Sequence, residues 1–167
     1  MKTLILARHA KSSWNHPELS DHDRPLNKRG RQDAPRMGVH LAAHYPAPQR
    51  IVSSSAARAR TTAEVLAQAF GRPRQDIQVL PTLYLADVAT LLAVARDLPD
   101  ALHTVMLVGH NPGMTDCLNR LAAAGIDNLP TCGVARIGFD LDHWADLQPA
   151  QGRLLSLDVP KALPDAA

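Results

Sequence analysis

Six short runs of mostly apolar residues, each of strand length, are spaced along the chain. Each run is four to nine residues long, which is the usual span of a β-strand. The runs cover residues 3–7, 50–53, 77–80, 104–108, 133–141 and 153–159. The pattern therefore predicts six strands spread over the chain.

Three longer stretches between these runs carry apolar residues at the three- and four-residue spacing of a helix. They cover residues 59–70, 91–98 and 114–121. Gly71 follows the first stretch, at the position where a glycine commonly ends a helix. We expect Asn111 to cap the third helix, with Pro112 in its first turn.

Residues 27–44 are less regular, because Pro35 lies in the middle of the stretch and would break a single helix. We expect two pieces here, with Asp33 capping the second so that Pro35 falls in its first turn. The alternation of strands and helices indicates an α/β fold with a mostly parallel sheet. The last two strands have no helix-length segment between them and are expected to pair as an antiparallel ribbon.

A length of 167 residues suits about one domain, which we assign to residues 1–160, with a short polar tail at 161–167. The composition, 46% hydrophobic and 20% charged, excludes wholesale disorder. No apolar run approaches the ~20 residues that cross a bilayer, and no secretory signal is evident. Cys117 and Cys132 do not form a disulfide framework, which favours reduced thiols and a cytoplasmic protein. The net charge is +2 with mixed signs, and we expect neither nucleic acid nor a membrane as partner.

Basic side chains follow three of the predicted strands. Arg8 and His9 follow the first strand, Arg58 comes shortly after the second, and His110 follows the fourth. Because ligands of open parallel sheets lie outside the carboxyl ends of the strands, these loops are expected to meet in one crevice. Two arginines, two histidines and helix N-termini suit a dianion such as phosphate.

Four segments carry a resemblance to a known family. Residues 8–15 (RHAKSSWN) resemble the Arg-His-Gly signature of the histidine phosphatase superfamily, with Ala10 in place of the commoner glycine. Residues 54–62 and 109–113 resemble its second-arginine and second-histidine motifs, and residues 21–30 are similar to the SixA-type phosphohistidine phosphatases. The resemblance implies a phosphoglycerate mutase-like fold, a three-layer α/β/α sandwich around a central, mostly parallel sheet.

The resemblance also implies roles for individual side chains. His9 would be the nucleophile that forms a covalent phosphohistidine intermediate. The phosphoryl oxygens would be held by Arg8, Arg58 and His110, with Arg24, Asn15 and Ser12 as further substrate contacts. A neutral imidazole can attack phosphorus without first losing a proton, and nearby arginines keep it neutral by lowering its pKa. We expect no metal and no cofactor, because the arginines supply the positive charge.

An acidic general acid, often a glutamate in this superfamily, is not evident. The two glutamates of the chain are poorly positioned, and Leu85 stands where relatives often have the acid. The remaining possible substitutes are Asp21, Asp23 and Asp87. Because a phosphorylated imidazole leaves with little acid help, we expect phosphohistidine on a protein as the substrate, such as a phosphocarrier or a histidine-kinase relay domain. The alternatives are a broad small-molecule phosphomonoesterase with an aspartate acid, and a non-catalytic phosphate-binding module.

Overall fold

A six-stranded sheet lies at the centre of the protein. The computed structural model describes residues 1–164. The strands are β1 (Lys2–Arg8), β2 (Arg50–Ser54), β3 (Ile77–Leu80), β4 (Thr104–Gly109), β5 (Val134–Phe139) and β6 (Arg153–Asp158). Their order across the sheet is β3-β2-β4-β1-β5-β6. The first four strands are parallel, whereas β5 and β6 run antiparallel to their neighbours. All six predicted strands and the antiparallel ribbon are confirmed.

Helices cover both faces of this sheet. They are α1 (Lys28–His44), α2 (Ala57–Ala69), α3 (Val88–Arg96) and α4 (Gly113–Ala122). Leu4 and Leu6 of β1 pack with α3 and α4 in one apolar cluster, while Ile5 and Ala7 pack with α1 and α2 in another. Successive residues of a strand point to opposite faces, so a strand covered on both sides is apolar throughout. The predicted three-layer α/β/α sandwich is therefore confirmed.

The prediction of two helical pieces in residues 27–44 is wrong, because α1 is continuous through Pro35. Asn27 caps the helix by accepting a hydrogen bond from the backbone N–H of Gly30. Asp33 is not a cap but a buried side chain that pairs with two arginines of the same helix. A proline inside a helix costs about 3 kcal/mol, and burial of Met37 and Leu41 offsets it at about 1.5–3 kcal/mol each.

The start of α4 also differs from the prediction by one residue. Pro112 is the cap and Gly113 the first helical residue, while the Asn111 side chain accepts from the backbone N–H of Thr115 at 3.1 Å. A Cβ at Gly113 would lie 2.0 Å from the Ala86 carbonyl oxygen, so the close approach of α4 to this loop requires glycine. At the end of α2, Gly71 has a φ of +73°, as predicted for a helix-ending glycine.

The C-terminal segment crosses the α1 side of the protein. Pro160–Ala162 form one 3₁₀ turn, Leu163 packs against the adjacent apolar cluster, and Arg36 donates to the Pro164 carbonyl at 3.1 Å. The last three residues of the predicted tail, 165–167, lie outside the described residues. None of the helices within residues 1–164 has the length and apolar character needed to cross a membrane.

Candidate active site

The carboxyl ends of β1, β2 and β4 lie side by side. In the sheet register Arg8 of β1 is opposite Gly109 of β4, and Ser53 of β2 is opposite Val108 of β4. His9 and His110 lie in the loops that follow β1 and β4, and Arg58 lies in the first turn of α2 after β2; all three are buried. The structure thus brings together the three segments that the sequence placed at strand ends.

His9 is held in this cluster by contacts with the backbone. It is 7% exposed, its N–H donates to the Gly109 carbonyl, and its own carbonyl accepts from the N–H of Cys132. The ring atom Nδ1 lies 2.7 Å from the Ala10 carbonyl oxygen. Because a carbonyl can only accept, Nδ1 carries the proton and Nε2 keeps its lone pair. Burial, together with the charges of Arg58 and neighbouring arginines, lowers the pKa of His9 to about 4.

His110 is the second neutral imidazole of the site, with its ring centroid 5.1 Å from that of His9. Its Nε2 lies 2.8 Å from the Ser54 hydroxyl, which also accepts from the N–H of Ala56. Among residues 1–164 the Ser54 hydroxyl has no other acceptor for its proton, so it donates to Nε2, and the His110 proton then sits on Nδ1. Burial and the neighbouring His9 and Arg58 lower the pKa of His110 to about 3.

Three arginines surround the two histidines. Arg58 is 3% exposed and its terminal nitrogens donate to the backbone carbonyl and the carboxylate of Asp21, at 2.6 and 3.0 Å. Arg8 donates to the Leu129 carbonyl at 3.0 Å, and burial lowers its pKa. Arg24 also reaches the Asp21 carboxylate, at 3.1 Å. The positive charges of these three arginines are therefore close together, next to the two uncharged imidazoles.

Three buried polar atoms of this cluster have no hydrogen-bond partner among residues 1–164: Arg8 Nε, Arg58 Nε and His110 Nδ1. Buried donors are nearly always paired in folded proteins, and leaving one unpaired costs about 1–3 kcal/mol. Three such donors in one cluster are suited to an anion with several oxygens. Within the same described residues, no three His, Cys, Asp or Glu side chains are grouped as ligands for a metal ion.

The other predicted substrate contacts have different surroundings. Ser12 is buried and accepts from Arg24 at 2.8 Å, so its hydroxyl holds that guanidinium in place. Arg24 also donates to the carbonyl of Ser13. Asn15 is exposed, and its recorded hydrogen bond runs from its backbone N–H to the Ser13 hydroxyl. Its role as a substrate contact remains a prediction.

The carboxyl groups considered as acids are all engaged in other contacts. Asp87 caps α3 by accepting from Thr90, and Asp23 pairs with His22 at 3.1 Å. Asp21 lies at the site, but hydrogen bonds from Tyr84, Arg58 and Arg24 lower its pKa to about 2. The two glutamates pair elsewhere, Glu18 with His16 and Glu64 with Arg74. A group with a pKa near 2 is ionised at neutral pH and cannot serve as a proton donor there.

Tyr84 and His22 border the site. Sequence reasoning assigned no role to Tyr84, and it indicated His22 only as a neighbour of Arg24 without a preferred role at the site. The Tyr84 hydroxyl donates to the Asp21 carboxylate, and its ring lies 5.5 Å from that of His110. His22 packs edge-on against Tyr84 at 4.9 Å and contacts the Ser55 hydroxyl at 2.8 Å. A lone tyrosine in a loop gives no sequence signal of its own, although its neighbour Leu85 had been singled out.

Comparison with known proteins agrees with this geometry. A sequence profile of the histidine phosphatase superfamily (branch 1) matches residues 4–84. The chain is 34% identical over 154 residues to an uncharacterized chloroplastic protein of Arabidopsis thaliana, covering 87% of this chain and 70% of that one.

Two solved structures have the same fold. One, from Agrobacterium tumefaciens, is provisionally assigned as the phosphohistidine phosphatase SixA; it is 31% identical, with a TM-score of 0.81 over 95% of this chain and 98% of that chain. The other, with the same provisional assignment, comes from Nakamurella multipartitia; it is 29% identical, with a TM-score of 0.82 over 96% of this chain and 97% of that chain. The chain therefore belongs to the histidine phosphatase superfamily, in its SixA-type branch, and is a phosphatase.

Proposed function

We propose that this phosphatase removes the phosphoryl group from phosphohistidine on a partner protein, through a covalent intermediate on His9. One observation carries the proposal. A neutral, buried imidazole with a free Nε2 lies among arginines, and the carboxylate at the site has a pKa of about 2. The site is therefore equipped to attack phosphorus and to hold its oxygens, but not to protonate a poor leaving group.

In the first step, the lone pair of His9 Nε2 attacks phosphorus as the bond to the substrate nitrogen breaks. The electron pair of that bond goes to the substrate ring, which leaves as neutral imidazole when its other nitrogen carries a proton. Arg8 Nε, Arg58 Nε and the Nδ1–H of His110 are the buried donors for the phosphoryl oxygens. Such fixed donors act on the charge of the transition state, which is the main contribution to phosphoryl transfer.

In the second step, water attacks the phosphoryl group on His9. The bond between phosphorus and Nε2 breaks, its electron pair returns to the ring, and the proton of the water goes to the phosphate or to solvent. Because Nδ1 keeps its proton on the Ala10 carbonyl, the phosphorylated ring is cationic and leaves as neutral imidazole. His9 thus returns to the tautomer in which it began.

The leaving group decides between this proposal and the phosphomonoesterase alternative. An alkoxide has a high pKa and needs a proton from the enzyme, whereas a protonated imidazole does not. Asp21, Asp23 and Asp87 all have lowered pKa values and therefore remain ionised. These surroundings support a phosphorylated nitrogen as substrate and disfavour sugar phosphates.

A direct comparison of substrates tests the proposal. We expect kcat/KM for a phosphohistidine-bearing protein, such as a phosphocarrier or a histidine-kinase relay domain, to exceed that for sugar phosphates by at least ~100-fold. Release of inorganic phosphate from both, measured at matched concentrations, gives the ratio. Faster hydrolysis of the sugar phosphates would overturn the proposed substrate.

The pH profile tests the protonation state of the nucleophile. Because the pKa of His9 is lowered from 6.5 to about 4, the ring is neutral, and able to attack, at every pH above that value. We therefore expect kcat/KM to keep its plateau as the pH falls through 6.5 and to decline only near pH 4. The measurement is kcat/KM against pH with an aryl phosphate, corrected for ionisation of the substrate. An acid limb centred near 6.5 would contradict this assignment.

A cytoplasmic location is part of the proposal. Cys117 and Cys132 are both buried free thiols, and burial raises the pKa of each to about 12. Unpaired buried cysteines are typical of proteins from reducing compartments such as the cytoplasm.

A further inference from the structure

We infer that Tyr84, oriented by Asp21, selects the leaving group: its hydroxyl oxygen accepts the ring N–H of the departing imidazole. The inference rests on the proposed function, since it concerns how a phosphorylated imidazole is recognised at the same site. It assigns a specificity-determining role to two residues outside the group that holds the phosphoryl oxygens.

The Asp21 carboxylate is fully occupied by donors from the protein. One oxygen accepts from the Arg24 side chain at 3.1 Å, through two of its nitrogens. The other accepts from Arg58 at 3.0 Å and from the Tyr84 hydroxyl. A carboxylate offers about four lone-pair positions, so this one has little capacity left for a substrate N–H. Asp21 therefore acts through Tyr84 as a positioning residue.

The Tyr84 hydroxyl, unlike the Asp21 carboxylate, can still accept a hydrogen bond from a ligand. Its single proton is committed to Asp21, so the lone pairs of its oxygen are what it can offer to a ligand. The pKa of Tyr84 is raised, by burial and by the hydrogen bond to Asp21, so the hydroxyl is also a poor proton donor to a leaving group. A fixed acceptor favours a leaving group that has an N–H and gives no help to one that needs a proton.

Tyr84 lies on the more exposed side of the site, where we expect the leaving group to depart. In-line transfer places the leaving group opposite the nucleophile, and His9 is only 7% exposed. Tyr84 is half-buried, its ring lies 5.5 Å from His110, and the Asp21 side chain that it contacts is 44% exposed. Arg58 connects the Asp21–Tyr84 pair with the buried donors for the phosphoryl group. Its terminal nitrogens bind Asp21, while its Nε remains for a phosphoryl oxygen.

The chemistry of the step agrees with this arrangement. When the bond between phosphorus and nitrogen breaks, its electron pair goes to the ring nitrogen that held the phosphoryl group. The other ring nitrogen keeps its proton throughout, so the ring changes from cationic to neutral. A hydrogen bond from this N–H to Tyr84 holds the substrate in its protonated, reactive form, and the nearby charge of Asp21 reinforces it.

The test compares two substrates in two tyrosine variants. Tyr84→Phe removes the acceptor and leaves the ring in place; Tyr45→Phe is a matched control, because the Tyr45 hydroxyl donates to another aspartate, Asp158, at 2.8 Å. The probes are a phosphohistidine peptide and p-nitrophenyl phosphate, whose leaving group has no N–H. We expect Tyr84→Phe to lower the ratio of their kcat/KM values by roughly 10- to 100-fold, and Tyr45→Phe to leave it unchanged.

A further variant, Asp21→Asn, should lower the same ratio because it releases the orientation of the Tyr84 hydroxyl. Equal losses on both substrates in Tyr84→Phe, or no loss on either, would overturn the inference, since a structural role affects both substrates alike. The unmodified enzyme separates the two hypotheses. Faster hydrolysis of a sugar phosphate than of the phosphohistidine peptide would count against the proposed function, whereas a phosphohistidine preference unaffected by Tyr84→Phe would reject the tyrosine role alone.

Discussion

Replacement of His9 by alanine is expected to lower turnover by about 10⁴-fold or more and to abolish the covalent phosphoenzyme. The Nδ1 proton of His9 is fixed on the Ala10 carbonyl, so Nε2 is the attacking atom, and alanine offers no substitute. Tetrahedral anions should still bind, because Arg8, Arg58 and His110 are unchanged. The expected phenotype is therefore an inactive enzyme that retains affinity for phosphate or vanadate.

The measurement combines turnover with trapping of labelled enzyme after a brief exposure to phosphorylated substrate. In the unmodified enzyme we expect an acid-labile, alkali-stable label, as phosphohistidine gives, located on His9. The matched control is His16→Ala, because His16 is an exposed histidine of the same loop that pairs with Glu18. A His9→Ala enzyme as active as His16→Ala would exclude His9 as nucleophile, and an unmodified protein without turnover would favour a phosphate-binding module.

The elements that the sequence predicted well are those that bury a regular apolar face. Strand β1 is an unbroken apolar run because its successive residues enter two different clusters, Leu4 and Leu6 on one side and Ile5 and Ala7 on the other. Helix α1 was misjudged for the opposite reason. The local penalty of Pro35 is visible in the sequence, whereas the compensating burial of that helix against α2 is a tertiary effect.

The part of the candidate site that lies at strand ends was predictable from the sequence, and the part formed by irregular loops was not. His9, Arg58 and His110 stand at the carboxyl ends of parallel strands, and the geometry of such sheets brings those ends together. The contact of Asp21 with Tyr84 joins two loops of irregular course, and neither periodicity nor strand order determines such a contact. Leu85 next to Tyr84 even has a φ of +50°, a conformation that an apolar pattern does not encode.

Arg58→Ala is the second substitution expected to have a large effect, a loss of about 10²- to 10³-fold in kcat/KM. Arg58 connects the Asp21–Tyr84 pair with the donors for the phosphoryl oxygens. Its terminal nitrogens hold Asp21, and its buried Nε has no partner among residues 1–164. Arg58→Lys should restore little of the loss, because an ammonium group cannot reproduce the planar fork that bridges two acceptors. Arg60→Ala, two residues further along α2 and exposed, is the matched control.

The same substitution should also move the pH profile, which separates an electrostatic role from a simple loss of binding. The positive charge of Arg58 is one of the causes that lower the pKa of His9, after burial. Removing that charge makes protonation of the ring easier, so the pKa rises from about 4 toward 6.5, and the acid limb of kcat/KM moves to higher pH. Because burial remains, we expect the limb to stay below 6.5. An Arg58→Ala enzyme that matched Arg60→Ala in both rate and acid limb, with thermal unfolding showing both variants folded, would exclude Arg58 from the site.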